Sequence, residues 1–419
     1  MNGQRHAGRR RGPGSWTGGL GSTISEVRRR RSPVTDAVLI AGGATAAVGA
    51  LGLAIVATIA RKVVVPARDR PSEARILALD REAGTLELVA TPDTVVPGRY
   101  GSWVTRRAAY VQLGDIVEMR QHTVVRTLLG GDVDALRVGQ EAEFSGWFFR
   151  RPDELGLAAE DVLVPTPLGP APAWAIHPEE GPSTRWAVLV HGRGTTRSEA
   201  LRAVPSFRNA GYSCLLVSYR NDGDAPPALD FRYALGDEEW LDVDAAIGWV
   251  REQGAADVVL MGWSMGGAIV LQASRRTTHP ELIRAVALDS PVIDWVDVLQ
   301  HQARENRIPS VVGRVALLAI SRRWGRLLTG QATSIDLARL DYVANAADLA
   351  LPILLMHSDD DGYVPAGPSR ALALARPDIV TFVPFTVARH TKLWNYDPER
   401  WTAAVSDWLD EIVPLPPGH

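Results

Sequence analysis

The chain has 419 residues, with 45 basic and 48 acidic side chains for a formal charge of -3, 46% hydrophobic residues and 22% charged ones. Those fractions belong to globular proteins and exclude a wholly disordered or collagen-like chain. A single cysteine excludes an internal disulfide framework, and the near-neutral charge argues against a general nucleic-acid binder.

The average conceals an arm. Residues 1–36 hold eight arginines against Glu26 and Asp36, a local charge of +6, which leaves -9 for the remainder. The arm is rich in Gly, Arg and Ser and too poor in apolar side chains to offset the entropy of ordering, so it is expected to be disordered. The run Arg28–Arg29–Arg30–Arg31 reads as the solvated flank of an adjoining apolar span rather than as a nucleic-acid site. That span, residues 37–60, contains no charge and is bounded by Asp36 and by Arg61 and Lys62. As a helix it reaches about 36 Å, enough to cross a hydrocarbon core of about 30 Å. It also exceeds the apolar region of a signal peptide and lacks the polar face of a core helix. A single-pass transmembrane helix is therefore expected, making the membrane a partner through residues 37–60. The arginines ahead of it place the amino terminus in the cytoplasm and the body outside.

Between residues 66 and 151 the pattern changes to short alternating runs at 74–79, 85–89, 109–119, 123–129 and 141–149, separated by turn residues such as Pro92–Asp93 and Gly130–Gly131–Asp132. That spacing predicts a small antiparallel β-rich domain. Its aromatic residues, Trp103, Trp147, Phe148 and Phe149, read as core or as an interface with the next domain, and no chemical constellation stands out in it.

From residue 161 onward, apolar runs alternate with helical patterns, the signature of an α/β fold with a mostly parallel central sheet flanked by helices. Strands are expected at 187–190, 215–218, 258–261, 285–288, 353–356 and 380–385, with a final helix at 398–412. Cys214 falls in an apolar run and reads as a small buried hydrophobe. The third of these strands runs straight into Gly262–Trp263–Ser264–Met265–Gly266–Gly267, a G-x-S-x-G at a strand-to-helix turn. A nucleophile elbow needs that context. The serine sits on a sharp turn, its neighbours two residues away must be small, and the helix amino terminus turns the Met265 N–H towards a developing oxyanion.

A serine hydroxyl at neutral pH needs a base, and the base needs an orienting acid. After residues 353–356 comes His357–Ser358–Asp359–Asp360–Asp361–Gly362–Tyr363–Val364–Pro365, and after 380–385 comes Arg389–His390–Thr391. Elimination among nine histidines leaves His390, in the last long loop before the final helix. Asp359, Asp360, Asp361 and, at the end of another strand, Asp289 remain as orienting acids. No P-loop precedes Lys62 or Lys392, the only lysines. No Cys/His cluster suggests zinc, so neither cofactor nor metal is expected.

These segments resemble the α/β-hydrolase superfamily over residues 161–413. HGRG at 191–194 is similar to its oxyanion-hole loop, GWSMGG at 262–267 to its elbow, HSDDDGYVP at 357–365 to its acid loop, and RHTKLWN at 389–395 to its histidine loop. The acid loop of the family usually reads His-Gly-x-x-Asp-x-x-Val-Pro, which selects Asp361. Ser358 and Arg389 depart from it, standing where glycines are usual, and a charge at Arg389 beside the imidazole bears on its basicity. The resemblance implies a Ser264–His390–Asp361 triad with an oxyanion hole at Arg193 and Met265. It also implies a helical cap inserted at about 291–350 that gates the substrate. The expected activity is hydrolysis of a small-molecule carboxylic ester through an acyl-enzyme intermediate. The tryptophan of G-W-S-x-G-G also resembles prolyl-oligopeptidase relatives, so a serine peptidase is the alternative, and a non-catalytic anchored binding protein on the same fold is the rival from another class.

Overall fold

The computed structural model describes residues 33–66, 72, 74–104 and 109–412, with side chains from residue 49 onward. Most of the expected basic arm lies outside the described residues. The first element is helix α1, Pro33–Val64, and the chain divides between Leu51 and Gly52 into two compact units. Val56, Ala60 and Val64 recur every fourth residue, form one stripe of α1, and are buried in one cluster with Tyr233, Trp240 and Val243. Tyr233 N–H donates to Val64 O at 2.7 Å and Arg61 Nε to Leu328 O at 2.7 Å. The last turns of α1, which include residues 56–60 of the expected apolar span, are part of the folded body. Among the described residues no helix is long and apolar enough to cross a membrane, and the side chains of residues 33–48 lie outside them.

The β-rich region closes on itself. Strands β1 (Ala74–Asp80), β2 (Thr85–Val89), β3 (Tyr100–Val104), β4 (Ala109–Met119), β5 (Thr123–Gly131) and β6 (Glu141–Ser145) form a barrel in the order β1-β2-β5-β4-β3-β6. Every pairing is antiparallel, and closure leaves no unpaired sheet edge. Ile76, Leu86, Leu88, Val111, Leu113 and Val124 fill the interior. A cation sits among them. Arg126 is fully buried and donates to the carbonyls of Thr94 (3.0 Å), Gly98 (3.0 Å), Gly114 (2.7 Å) and Val96, with Tyr100 and Phe144 rings beside its guanidinium. Burial pushes its pKa down to about 10, so it stays charged at neutral pH and fixes the β2–β3 loop from inside.

The second sheet has eight strands: β7 (Glu160–Thr166), β8 (Gly169–Ile176), β9 (Arg185–Val190), β10 (Ser213–Val217), β11 (Asp257–Trp263), β12 (Ile283–Asp289), β13 (Ile353–Ser358) and β14 (Val380–Phe385). Their order is β14-β13-β12-β11-β9-β10-β8-β7, with the β10–β8 and β8–β7 pairings antiparallel and the rest parallel. Alternate residues feed two cores: Val188, Leu260 and Leu355 on one face, Leu189, Met261 and Met356 on the other. Helices cover both faces. Between β12 and β13 the chain inserts helices Trp295–Glu305, Ser310–Ser321 and Arg326–Thr329. The loops leaving β9, β11, β13 and β14 collect at the carboxyl edge of the sheet, where ligand chemistry sits in such folds.

Candidate active site

β11 delivers Ser264 at a turn that ordinary backbone does not favour. Ser264 has φ 52° and ψ -117°, outside the common regions for a residue with a side chain. The turn is tight enough that a Cβ on Gly262 would strike the Gly266 carbonyl, one on Gly266 would strike the Val190 carbonyl, and one on Gly267 would lie 2.6 Å from Pro291 Cβ. Small neighbours are thus a steric requirement here. Helix Met265–Arg276 starts at the next residue, so the Met265 N–H lies in the first turn and has no acceptor within its own helix.

The β14 loop brings His390 to that serine. His390 Nε2 lies 3.0 Å from Ser264 Oγ and Nδ1 lies 2.7 Å from Asp361 Oδ2. Residues on both sides of the histidine, Arg389 (φ 62°) and Thr391 (φ 50°), adopt the left-handed region. This explains why glycine suits the position of Arg389. Its side chain turns away from the imidazole: Arg389 Nη1 donates to Asp360 O at 2.7 Å, and Nε lies 3.6 Å from Asp93 Oδ1.

The three consecutive aspartates separate by partner. Asp359 pairs with Arg370, Asp360 Oδ1 accepts from Arg389 N–H (2.9 Å), and only Asp361 meets His390. Asp361 Oδ1 accepts the N–H groups of Tyr363 and Val364, both at 2.8 Å. Burial alone would raise its carboxyl, but His390 alongside and hydrogen bonds from His357 and His390 overcome that and hold it far below the usual carboxylate range. His357 is a residue that sequence reasoning left without a role in the triad. Its Nε2 faces two acceptors, Asp361 Oδ2 (3.2 Å) and Val364 O (3.0 Å), so the proton is assigned to Nε2 and the ring braces the acid. Asp289, the other acid considered, accepts from Trp401 Nε1 and Ser290 Oγ, each at 2.9 Å, and does not reach His390.

The loop after β9 supplies the other wall. Gly192 N–H and Thr195 Oγ1–H both donate to the buried Glu199 Oε2 (2.7 and 2.8 Å), and Gly194 N–H donates to Asp222 Oδ2 (3.1 Å). Glu199 escaped the sequence reading, whereas the segment 219–222 that carries Asp222 reads in sequence as loop structure near a strand end. The Arg193 guanidinium points out of the site, with Nη2 donating to Lys62 O (2.9 Å) and Val65 O (3.2 Å) at the end of α1. A cation at carbonyls of a helix carboxyl terminus is favourable. Arg193 therefore offers the site its backbone, and α1 holds the loop in place.

A family model described as "Alpha/beta hydrolase family" matches residues 187–405, just over half of the chain. The chain belongs to the alpha/beta hydrolase family. A second model, "Domain of unknown function (DUF8805)", matches residues 75–145, the barrel. Among curated proteins the chain is similar to the quorum-quenching protein AidA of Acinetobacter baumannii, 29% identical over 174 residues, 40% of this chain and 53% of that protein. The chain thus spans about half the length of the curated relative it matches. Among solved structures it is similar to an esterase of Pyrococcus furiosus, with TM-score 0.49 and 18% identity over 63% of this chain and 94% of that one. It is also similar to a serine hydrolase without lid from Xanthomonas campestris, with TM-score 0.42 and 16% identity over 62% and 97%.

In this member of the family Ser264 and His390 open into a cavity of about 360 Å³. The inserted helices were expected to cap it. Residues 291–350 contribute nothing to its lining; they meet the site through Val292 N–H, which donates to Ser264 O at 3.1 Å, and Gln302 Nε2, which donates to Tyr363 O at 2.8 Å. The facing wall comes instead from the barrel: Asp93, Glu143, Phe144 and Ser145. A cavity of about 450 Å³ beside Ser274, Arg275 and Leu351 is larger, but it holds no nucleophile paired with a base.

Proposed function

We propose that this protein is a serine hydrolase that cleaves a carboxylic ester through an acyl-enzyme intermediate. The observation that carries the reading is the His390 ring spanning Ser264 Oγ (3.0 Å) and Asp361 Oδ2 (2.7 Å) at a strained elbow. Ser264 Oγ attacks the ester carbonyl while His390 Nε2 takes its proton. Asp361 accepts from Nδ1–H and stabilises the imidazolium that forms. The oxyanion is met by the N–H groups of Met265 and Arg193. Collapse expels the alcohol with the proton from His390. Water, deprotonated by the same imidazole, then releases the acid and restores Ser264.

Labelling by a fluorophosphonate probe, together with hydrolysis of p-nitrophenyl esters in preference to matched amides, tests this. Absence of both in the full chain overturns it, and faster amide cleavage moves it to the peptidase reading. The Acinetobacter baumannii relative is named for quorum quenching. We extend that only as a substrate set to assay: small signalling molecules closed by an ester bond.

Location forms part of the same proposal. The uncharged helical residues ahead of the buried Val56, 37–55, would reach about 28 Å, close to a hydrocarbon core of about 30 Å, and serve as the anchor. The body then lies on the outer side, as the eight arginines ahead of the helix favour. Protection of the body from protease added outside sealed cells overturns this orientation.

A further inference from the structure

We propose that the six-stranded barrel is the substrate-selecting half of the Ser264 site, admitting short polar esters and holding the histidine loop through Asp93. The inference rests on the serine-hydrolase reading and extends it to a domain to which no function is attached.

The barrel does not hang beside the body as a spacer. Its β2–β3 loop is fixed on both sides. From within, Arg126 holds the carbonyls of Thr94, Val96 and Gly98. From without, Arg99 N–H donates to Asn395 O at 3.0 Å and Asn395 Nδ2 donates to Arg99 O at 2.8 Å, a reciprocal pair joining residues almost 300 positions apart. Gly98, at φ 110°, lies so near the Asn395 carbonyl that a Cβ there would strike it. Thr91 and Thr94 cross-bond the base of the loop (2.8 and 3.1 Å). Everything about this loop is built to meet the turn that follows His390.

What it presents there is a carboxylate. Asp93 Oδ1 lies 2.7 Å from Lys392 Nζ and 3.6 Å from Arg389 Nε, so one barrel acid partners the cations on both sides of the histidine. Asp93 and Lys392 are both largely buried. Removing the acid takes this carboxylate from Lys392 and Arg389 and loosens the loop that aims Nε2 at Ser264. Asp93 lines the cavity, but its ion pairs run to Lys392 and Arg389 and not to Ser264, His390 or Asp361. It is a positioning residue.

The wall also limits the substrate. Beside the serine the lining consists of charged side chains of both signs, hydroxyls, glycine backbone and the rings of Phe144 and Tyr363, with no Val, Leu, Ile or Met among it. A volume of about 360 Å³ is at the small end for a ligand site. A long acyl chain would desolvate Asp93, Glu143 and Lys392 and gain in exchange only the rings of Phe144 and Tyr363 and the carbon stems of polar side chains. A short acyl group with hydrogen-bonding substituents meets partners instead.

The test uses the full chain with p-nitrophenyl esters from acetyl to octanoyl. Fluorophosphonate labelling of Ser264 reports the chemistry independently, and thermal melts report folding. The wild type is expected to prefer the shortest esters. Glu143→Ala is expected to shift kcat/KM toward longer acyl groups about fivefold, with labelling retained. Asp93→Asn is expected to lower kcat about tenfold at every chain length with little change in KM, because it displaces the base while the isosteric amide keeps the shape of the wall. Asp93→Glu, which restores the charge, recovers most of that loss. A wild type that favours octanoyl esters overturns the proposal, as does an unaltered chain-length profile in folded Glu143→Ala or unaltered kcat in folded Asp93→Asn. If the wild type neither labels nor hydrolyses any ester, the serine-hydrolase reading itself falls. Labelling without barrel-dependent selectivity removes the barrel inference alone.

Discussion

The two walls of the cavity are built by opposite means. On the hydrolase side each group follows from a short run of sequence: a strand, a turn too tight for side chains, and a residue held at its end, as at Ser264 and His390. On the barrel side Asp93 reaches the same site only because a closed barrel, a buried arginine and the reciprocal Arg99–Asn395 pair bring it there. Chemistry in this molecule is encoded locally and the surroundings of that chemistry at long range. Substitutions on the first wall should therefore abolish reaction, and those on the second should redirect or slow it.

The sharpest way to break that contrast is Ser264→Ala or His390→Ala. Each should lower kcat by about 10⁴-fold or more and abolish fluorophosphonate labelling, since members of such a unit fail together. A variant of either that retains even a tenth of the wild-type rate would place the chemistry elsewhere. Next comes Asp361→Asn, which keeps the shape but removes the acceptor that holds the His390 tautomer, for an expected loss of about 10³-fold in kcat. Retained activity would transfer the orienting task to another acid. Asp289 is the nearest rival, and it is already engaged by Trp401 and Ser290.

How far the sequence could be read follows the same division. Expected strands at 85–89, 109–119 and 380–385 coincide with β2, β4 and β14, where apolar periodicity is clear and turns bound it. The β7–β8 hairpin escaped because Pro165, Pro170 and Pro172 argue against a strand, yet at the margin of a sheet a missing N–H costs little. β3 escaped because Gly101 and Ser102 break its apolar pattern. The structure explains that glycine: a Cβ there would strike the Trp147 carbonyl. In the site, Ser264, Asp361 and His390 were legible because motif spacing and chain order constrain them. Glu199 was not, since an acid that accepts from a backbone N–H of a loop looks in sequence like any other acid. His357 had a local signal, four residues ahead of Asp361, whereas Asp93 had none.

Helix α1 supplies a third term to the comparison, since it bears on the oxyanion loop without entering the cavity. A chain beginning at residue 66 loses the buried Val56, Ala60 and Val64, the carbonyls that hold Arg193, and the bond from Tyr233. Burial of two valines alone is worth about 3 kcal/mol, so denaturant unfolding of that fragment should show at least such a loss, with slower labelling of Ser264. A chain beginning at residue 52 keeps all of these groups and should unfold near the wild type. Equal stability of the two fragments would mean that α1 docks without contributing, and it would return the whole helix to an anchoring role.

Two buried acids sharpen the contrast on a smaller scale. Asp361 is depressed because His390 and His357 face it, so its contribution to stability is present above the ordinary carboxylate pKa and is lost as pH falls below it. Glu239 is as deeply buried but is met mainly by N–H groups, those of Ala234 and Gly236 at 2.7 Å each. Burial outweighs these bonds and lifts its pKa to about 7. Between about pH 4.5 and 7 the native chain therefore keeps a proton that the unfolded chain has released, and stability must fall as pH rises through that window. The expected loss is about 2 kcal/mol, readable as a decline in the unfolding midpoint between pH 5 and pH 7. Glu239→Gln has no proton to release and should flatten that part of the profile, even if its amide fits two donors less well and lowers the midpoint throughout. A wild-type midpoint that rises across the window would show that the Glu239 carboxylate finds enough compensation from its donors to ionise in the folded chain, and burial without a cationic partner would no longer separate the two acids.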